Sequence, residues 1–254
     1  MTVGHVVCCG PRRSGSSLAH NLVVDILQES GLFATWRPVK AHLPQAESHR
    51  ATEGSPRRYV YVARDLRDLI VSDISLHGLP NTFPRTAAMA VVPESVRAWR
   101  HWRTQEPRFH TTYRELVADL PGHVAALARF LEADLNPDQV HAIANRHDRK
   151  RVEARVAAFY EARPAAAATD IVGDVGFRKG HFQGGAVGKW RDHLSTWQVA
   201  FIEYHGGAWL EANGFDLSQP RWRRLAAALA GAPFWAAGRI VTKVKLATGQ
   251  IHAW

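Results

Sequence analysis

The chain has 254 residues, 46% of them hydrophobic and 22% charged, ordinary globular values and enough length for an α/β domain with a substantial core. Its 32 Lys and Arg against 23 Asp and Glu give a net charge of +9, which favours an anionic ligand. With no zinc-finger spacing, RNP motif or basic heptad helix, nucleic acid is not the expected one. Two adjacent cysteines, Cys8 and Cys9, exclude a disulfide scaffold, and no stretch approaches the roughly 20 apolar residues of a spanning helix.

Val3 to Cys9 reads as a buried strand. Neighbouring side chains on a strand face opposite ways, so Cys8 and Cys9 form neither a disulfide nor a metal pair. Buried thiols and a start without a positive n-region lead to the expectation of a cytoplasmic protein. A helix is expected from Leu18 to Glu29, and between strand and helix lies Gly10-Pro11-Arg12-Arg13-Ser14-Gly15-Ser16-Ser17. That order builds an anion cradle. The two glycines let the backbone bend closely, and the helix start presents N–H groups and positive dipole. Ser16 and Ser17 add hydroxyls, while Arg12 and Arg13 add fixed charge. The lysine of the nucleotide loop G-x-x-x-x-G-K-[ST] is missing. A serine-capped strand-to-helix turn is the plain alternative.

A second strand, Ala34–Val39, runs into Lys40-Ala41-His42-Leu43-Pro44. Lys40 and His42, two residues apart on extended chain, point the same way, and His42 is a candidate general base. Polar Ala46–Arg58 reads as loop. The third strand, Tyr59–Ala63, ends at Arg64, where α/β sheets present ligand-binding groups. A helix over Leu66–Leu76 carries Ser72, and Leu79–Pro93, with three prolines, is expected to be a loop over the site's mouth.

Further helices are expected over Glu94–Trp102, Leu120–Leu131, Asn136–Arg163 (one or two) and amphipathic Trp197–Asn213, with a fourth strand at Phe109–Thr112. Phe177-Arg178-Lys179-Gly180 followed by Gly184-Gly185 and Gly188-Lys189-Trp190 suits a flexible loop closing on phosphate. The alternation of strands and helices gives an α/β fold with a parallel sheet flanked by helices. The 14 histidines are scattered without metal-ligand spacing, so no metal is expected.

Taken in order, these segments resemble the sulfotransferase family that uses 3′-phosphoadenosine-5′-phosphosulfate (PAPS). Arg13 to Ser17 is similar to the 5′-phosphosulfate loop in its R-S-G-S-S form, common among carbohydrate sulfotransferases. Lys40 to Pro44 resembles the K-T-H-L-P segment that carries the catalytic base. Arg64 to Ser72 resembles R-[DN]-P-[RK]-D-x-x-x-S, the 3′-phosphate motif, with Leu66 in place of the proline. Arg178-Lys179-Gly180 with Gly188-Lys189-Trp190 resembles the closing loop R-K-G-x-x-G-x-W with a longer spacer. Tyr113 to Leu116 is similar to Y-E-D-L near the adenine, and Leu18 stands where many members have an adenine-stacking tryptophan.

The resemblance implies a P-loop-kinase-like fold with a parallel sheet of about five strands flanked by helices. It implies sulfuryl transfer from PAPS to a hydroxyl acceptor, releasing 3′,5′-ADP, without a metal. Arg13 and Lys40 would stabilise charge on the departing phosphate, and His42 would take the acceptor's proton. Arg64 with Ser72 would hold the 3′-phosphate, and Arg12, Ser14, Gly15, Ser16, Ser17, Tyr113, Arg178, Lys179 and Gly180 complete the nucleotide contacts. Glu53 and Asp73 are the substitute bases. The acceptor is a hydroxyl-bearing small molecule or glycan, glycolipids included. The alternative is a P-loop kinase or NTPase with a degenerate loop, using Asp65 or Asp68 to hold magnesium.

The sulfotransferase domain is expected over residues 1–216, with 217–254 as a basic, Trp-containing extension in which Pro233 interrupts any longer helix. Two readings of the extension stay open. It packs on the domain or on a dimer partner, or it is an interfacial anchor at the inner membrane face.

Overall fold

Four runs rich in Val, Tyr and Thr build one parallel sheet in a computed structural model that describes residues 2–43, 52–163 and 186–247. They are β1 (Gly4–Cys9), β2 (Trp36–Ala41), β3 (Arg57–Ala63) and β4 (Arg108–Thr112), in the order β2-β1-β3-β4. The helices in the first half of the chain are α1 (Ser16–Glu29), α2 (Leu66–His77), α3 (Phe83–Ala88), α4 (Val91–Trp102) and α5 (Tyr113–Ala118). Those in the second half are α6 (Leu120–Leu131), α7 (Pro137–Arg146), α8 (Arg149–Ala162), α9 (Trp190–His193), α10 (Thr196–Ala212) and α11 (Arg221–Ala247). The described residues fall in two units, 2–64 with 100–163, and 65–99 with 186–247. Among them no helix is long and apolar enough to cross a membrane.

The first unit holds the whole sheet. Every strand pair is parallel. The inner strands β1 and β3 are buried on both faces, which explains their apolar runs, while the edge strands β2 and β4 are partly exposed and more polar. Val6, Cys8, Val60 and Val62 pack on Leu22 and Ile26 of α1 and on Leu127 of α6. Val7, Cys9, Tyr59 and Tyr61 are buried on the opposite face, where the Trp102 ring lies 6.2 Å from that of Tyr59. Cys8 and Cys9 are both free. The sheet has four strands among the described residues, not the expected five or so. Past β4 the chain turns straight into helix, because Thr112, its last residue, is also the N-cap of α5 and forms a capping box with Glu115. The central strand β1 connects outward to β2, while β3 returns to its other side. The carboxyl ends of β1 and β3 therefore form the switch point where α/β sheets bind ligands.

The second unit is helical around α10, which packs on α2, α3 and α11. With neighbours on several sides, α10 buries most of its surface and leaves one exposed stripe, Trp197, Tyr204, Ala208 and Glu211. The amphipathic expectation thus holds in burial, while two aromatic residues sit on the open side. Leu79–Pro93 also departs from expectation, since most of it is helical. Thr82 caps α3 through Arg85 N (3.4 Å) with Pro84 in the first turn, and Pro93 falls in the first turn of α4, where a missing N–H costs no helical hydrogen bond. Nor does Pro233 break α11, which runs through it, its inner face held against α3 and α10.

Glu203 of α10 is fully buried and accepts from Arg67 Nη1 (2.7 Å), Ser218 N (2.9 Å), Ser218 Oγ (2.8 Å) and Gln219 N (2.9 Å). The same arginine donates Nε and Nη2 to the two oxygens of Asp65 at 2.8 and 2.7 Å. Removing one partner of a buried ion pair leaves the other charge uncompensated. We expect Glu203→Ala to cost about 3–5 kcal/mol, read as a lower urea midpoint at unchanged slope.

Candidate active site

Residues 10–17 join β1 to α1 at the switch point of the first unit. Gly10 has φ 147°, and a Cβ there would run into the Val62 carbonyl oxygen, so only glycine lets the loop leave β1 this close to β3. Gly15 (φ 101°) is the N-cap of α1, and a Cβ on it would lie 2.6 Å from the Tyr113 ring. The helix start has no side-chain cap and no acidic residue in its first turn, so it is not the serine-capped turn of the plain alternative. Ser14 Oγ is buried and has no hydrogen-bond partner among the described residues. Arg13 takes φ 68°, a left-handed conformation that costs a non-glycine residue about 1–3 kcal/mol and persists only where surroundings enforce it.

Three side chains from the neighbouring strand ends fasten on this loop. Lys40, in β2, donates Nζ to Ser17 Oγ at 2.6 Å. His42, just past β2, donates Nδ1 to the Gly10 carbonyl at 3.1 Å. Arg64, just past β3, donates Nη1 to the Arg13 carbonyl at 3.0 Å, with its guanidinium 4.4 Å above the Tyr113 ring. The buried Trp102 donates Nε1 to the His42 carbonyl at 3.4 Å, a support that nothing in the sequence singled out. The loop thus meets Lys40, His42, Arg64 and Tyr113 in one place.

Crowded cations set the electrostatics. Burial, then Lys40 and Arg12, lower His42 to about 4, although the Gly10 hydrogen bond pulls the other way. The imidazole is therefore neutral well below its ordinary value near ~6.5. Lys40 is also lowered, by burial first and by Arg13, against the pull of Cys8. A carbonyl partner makes Nδ1 the protonated nitrogen, which leaves Nε2 as the acceptor.

The second unit carries Ser72, buried in α2. Asp68, one turn earlier, accepts from Gly188 N (2.7 Å) and Trp190 N (3.1 Å), and the Trp190 ring lies 4.1 Å beneath the Arg67 guanidinium. Arg178, Lys179 and Gly180 lie outside the described residues, as does Pro44. Asp68 as the anchor of Gly188-Lys189-Trp190 escaped sequence reasoning, since an acid in a first helical turn already has a reason to be there. Asp65 is bound by Arg67 and caps its backbone N–H at 2.9 Å. Both carboxylates that a kinase reading would give to magnesium are thus committed to the protein itself. Of the substitute bases, Glu53 is exposed and Asp73 faces His77 at 3.6 Å.

Residues 32–214 match the sulfotransferase domain. The chain belongs to the sulfotransferase family. It is similar to mouse sulfotransferase 2B1, 24% identical over a 177-residue alignment that covers 64% of this chain and 50% of the mouse protein. It therefore spans about half the length of that curated relative. Among solved structures it is similar to retinol dehydratase in complex with retinol and PAP, at 18% identity and TM-score 0.54 over 85% of this chain and 83% of the other. It is likewise similar to mouse sulfotransferase SULT7A1 complexed with PAP, at 15% identity and TM-score 0.57 over 84% and 86%. At such identities the likeness carries the α/β fold. The matched span begins beyond residues 10–17, so the phosphate-loop reading of this sulfotransferase rests on the loop's own geometry.

The lowered histidines give this family member an acid-sensitive window. His42 and His205 both sit near 4 in the folded chain, burial being the first cause for each, against an ordinary value near ~6.5 unfolded. Between those values the unfolded chain takes up protons that the folded chain refuses. Stability is complete above ~6.5 and falls as pH drops toward 4. His205→Phe, which keeps a ring stacked near Trp235 (4.1 Å), is expected to flatten the decline between pH 6.5 and 5 in urea titrations.

Proposed function

We propose that the chain transfers a sulfuryl group from PAPS to a hydroxyl acceptor and releases 3′,5′-ADP. The observation that carries this reading is the fastening of Lys40, His42 and Arg64, from two strand ends, onto one anion loop. The loop suits a phosphosulfate: α1 starts without a side-chain cap, Ser14 Oγ is buried without a partner among the described residues, and glycines open the backbone. Family membership and relatives crystallised with PAP support the donor assignment. The direct test is label transfer from PAPS to a panel of alcohols and sugars.

When bound, the donor supplies the sulfuryl group and a phosphate oxygen on which negative charge builds. Arg13, Lys40 and the start of α1 are the chain's groups for holding that charge, more tightly in the transition state than before it. His42 takes the acceptor's proton at Nε2, its tautomer fixed by the Gly10 carbonyl. Unloaded, the site depresses His42 by burial first, then through Lys40 and Arg12. An anion beside those cations offsets them and raises the imidazole's proton affinity, so the base strengthens as the site fills. Arg64 and Ser72 take the 3′-phosphate, and Tyr113 and Arg178-Lys179-Gly180 further nucleotide contacts, on the strength of their motifs. Retinol and androsterone in related structures favour a small hydroxyl-bearing acceptor, with the R-S-G-S-S form keeping glycans in the panel. Two free, buried cysteines support a cytoplasmic setting.

Arg64→Ala is expected to weaken 3′,5′-ADP by about 2–5 kcal/mol, the scale of losing one partner of a desolvated charge pair. Calorimetry with 5′-AMP alongside separates reading from propping. Loss of the preference for 3′,5′-ADP supports a phosphate contact, whereas equal weakening of both ligands leaves Arg64 only a brace for Arg13.

His42→Ala is expected to lower turnover about 10²–10⁴-fold with nucleotide affinity kept. In the wild type, the acid limb of kcat/KM reports the free enzyme and lies well below 6.5, while that of kcat lies higher because the anion is bound. Coincident limbs overturn the coupling of His42 to the ligand.

A further inference from the structure

We propose that α11 lays its outer face on an anionic lipid surface. Two faces of this helix differ in kind. On the inner face Ala227 and Gly231 are buried, and Trp235 packs on Phe201 at 5.5 Å. A Cβ on Gly231 would reach the Phe201 ring, and one on Gly238 the Ala88 backbone, so small residues bring α11 close to α10 and α3. The opposite face carries Trp222, Leu225, Leu229, Pro233, Ala236 and Ile240, all exposed. At 100° per residue these six fall within an arc of about 80° and span about 27 Å. Trp222 is 64% exposed, Leu229 69% and Ile240 63%. An apolar stripe of that length, uncovered among the described residues on a helix already packed by its other side, is a surface suited to a partner.

Charge decides what the partner is. Residues 217–254 hold six cations, Arg221, Arg223, Arg224, Arg239, Lys243 and Lys245, and no acidic residue. A second copy of the chain would bring this basic segment against its like. An anionic bilayer supplies the opposite charge beside an apolar layer, the pairing that interfacial helices use. The helix is not apolar enough to cross the membrane and lies on it. This inference is independent of sulfuryl transfer, because lipid binding is read without turnover.

The test is co-sedimentation of the full chain with vesicles. We expect binding at low salt to vesicles of equal parts phosphatidylglycerol and phosphatidylcholine, weakening in high salt, with little binding to phosphatidylcholine alone. Leu229→Glu is expected to weaken binding roughly tenfold or more, and Arg221→Glu with Arg239→Glu to remove most of the salt dependence. All three positions are exposed, and circular dichroism checks that the fold is kept. Protein left in the supernatant with anionic vesicles at low salt overturns the proposal, as does Leu229→Glu binding like wild type. Light scattering that finds a dimer split by Leu229→Glu overturns it too, giving the stripe to a second copy.

Discussion

The chemistry of the first unit depends on the backbone of residues 10–17. Two of its carbonyls, on Gly10 and Arg13, accept from His42 and Arg64, and one of its hydroxyls, on Ser17, accepts from Lys40. A loop whose acceptors are taken up by cationic and neutral donors of the protein is left complementary to an anion. The left-handed turn at Arg13 belongs to the same constraint. Its carbonyl is aimed at Arg64, and that bond is part of what makes an otherwise costly φ persist.

Two buried or half-buried arginines show how differently a charge can be handled in one chain. Arg67 is enclosed by the carboxylates of Asp65 and Glu203 and by the Trp190 ring. Its charge is matched, and such a group fixes the packing of α2 on α10. Arg64 is held by a peptide carbonyl and by the Tyr113 face. Both contacts fix the direction of the guanidinium, a peptide dipole in its plane and a ring against its face. Lys40 and His42 feel that kind of environment: both are shifted toward their neutral forms, burial first and neighbouring cations next.

What was legible in the sequence was local. The glycine and serine loop, the Lys40–His42 spacing and Arg64 at a strand end each follow from neighbours a few residues away, and so do the four strands, within two residues of their observed ends. Prolines misled because position within the helix matters more than identity. Pro84 and Pro93 occupy first turns, and Pro233 sits in a helix that tertiary packing holds on both sides of it. Long-range partners stayed hidden. Arg67 and Glu203 are 136 positions apart, and Asp68 and Gly188 are 120 apart. The depressed basicity of His42 was equally out of reach, since burial is a property of the fold and not of the spacing.

The junction after β3 shows how closely chemistry and architecture are written together. Arg64 belongs to the first unit and reaches back to the loop. Asp65, the next residue, belongs to the second and caps α2 while binding Arg67. Asp68 then ties α2 to Gly188 and Trp190. Five consecutive positions thus hold one charged group turned to the loop of the first unit and three bound within the second. That order puts a cation at position 64 and the first carboxylate one residue later, where it caps α2. Leu66, where the family motif has proline, keeps that phase, because its side chain is buried at the first position of α2 and caps need only a backbone that can start a helix there. The register of acids and bases around the helix start sets which of them turns to the loop and which binds within the second unit.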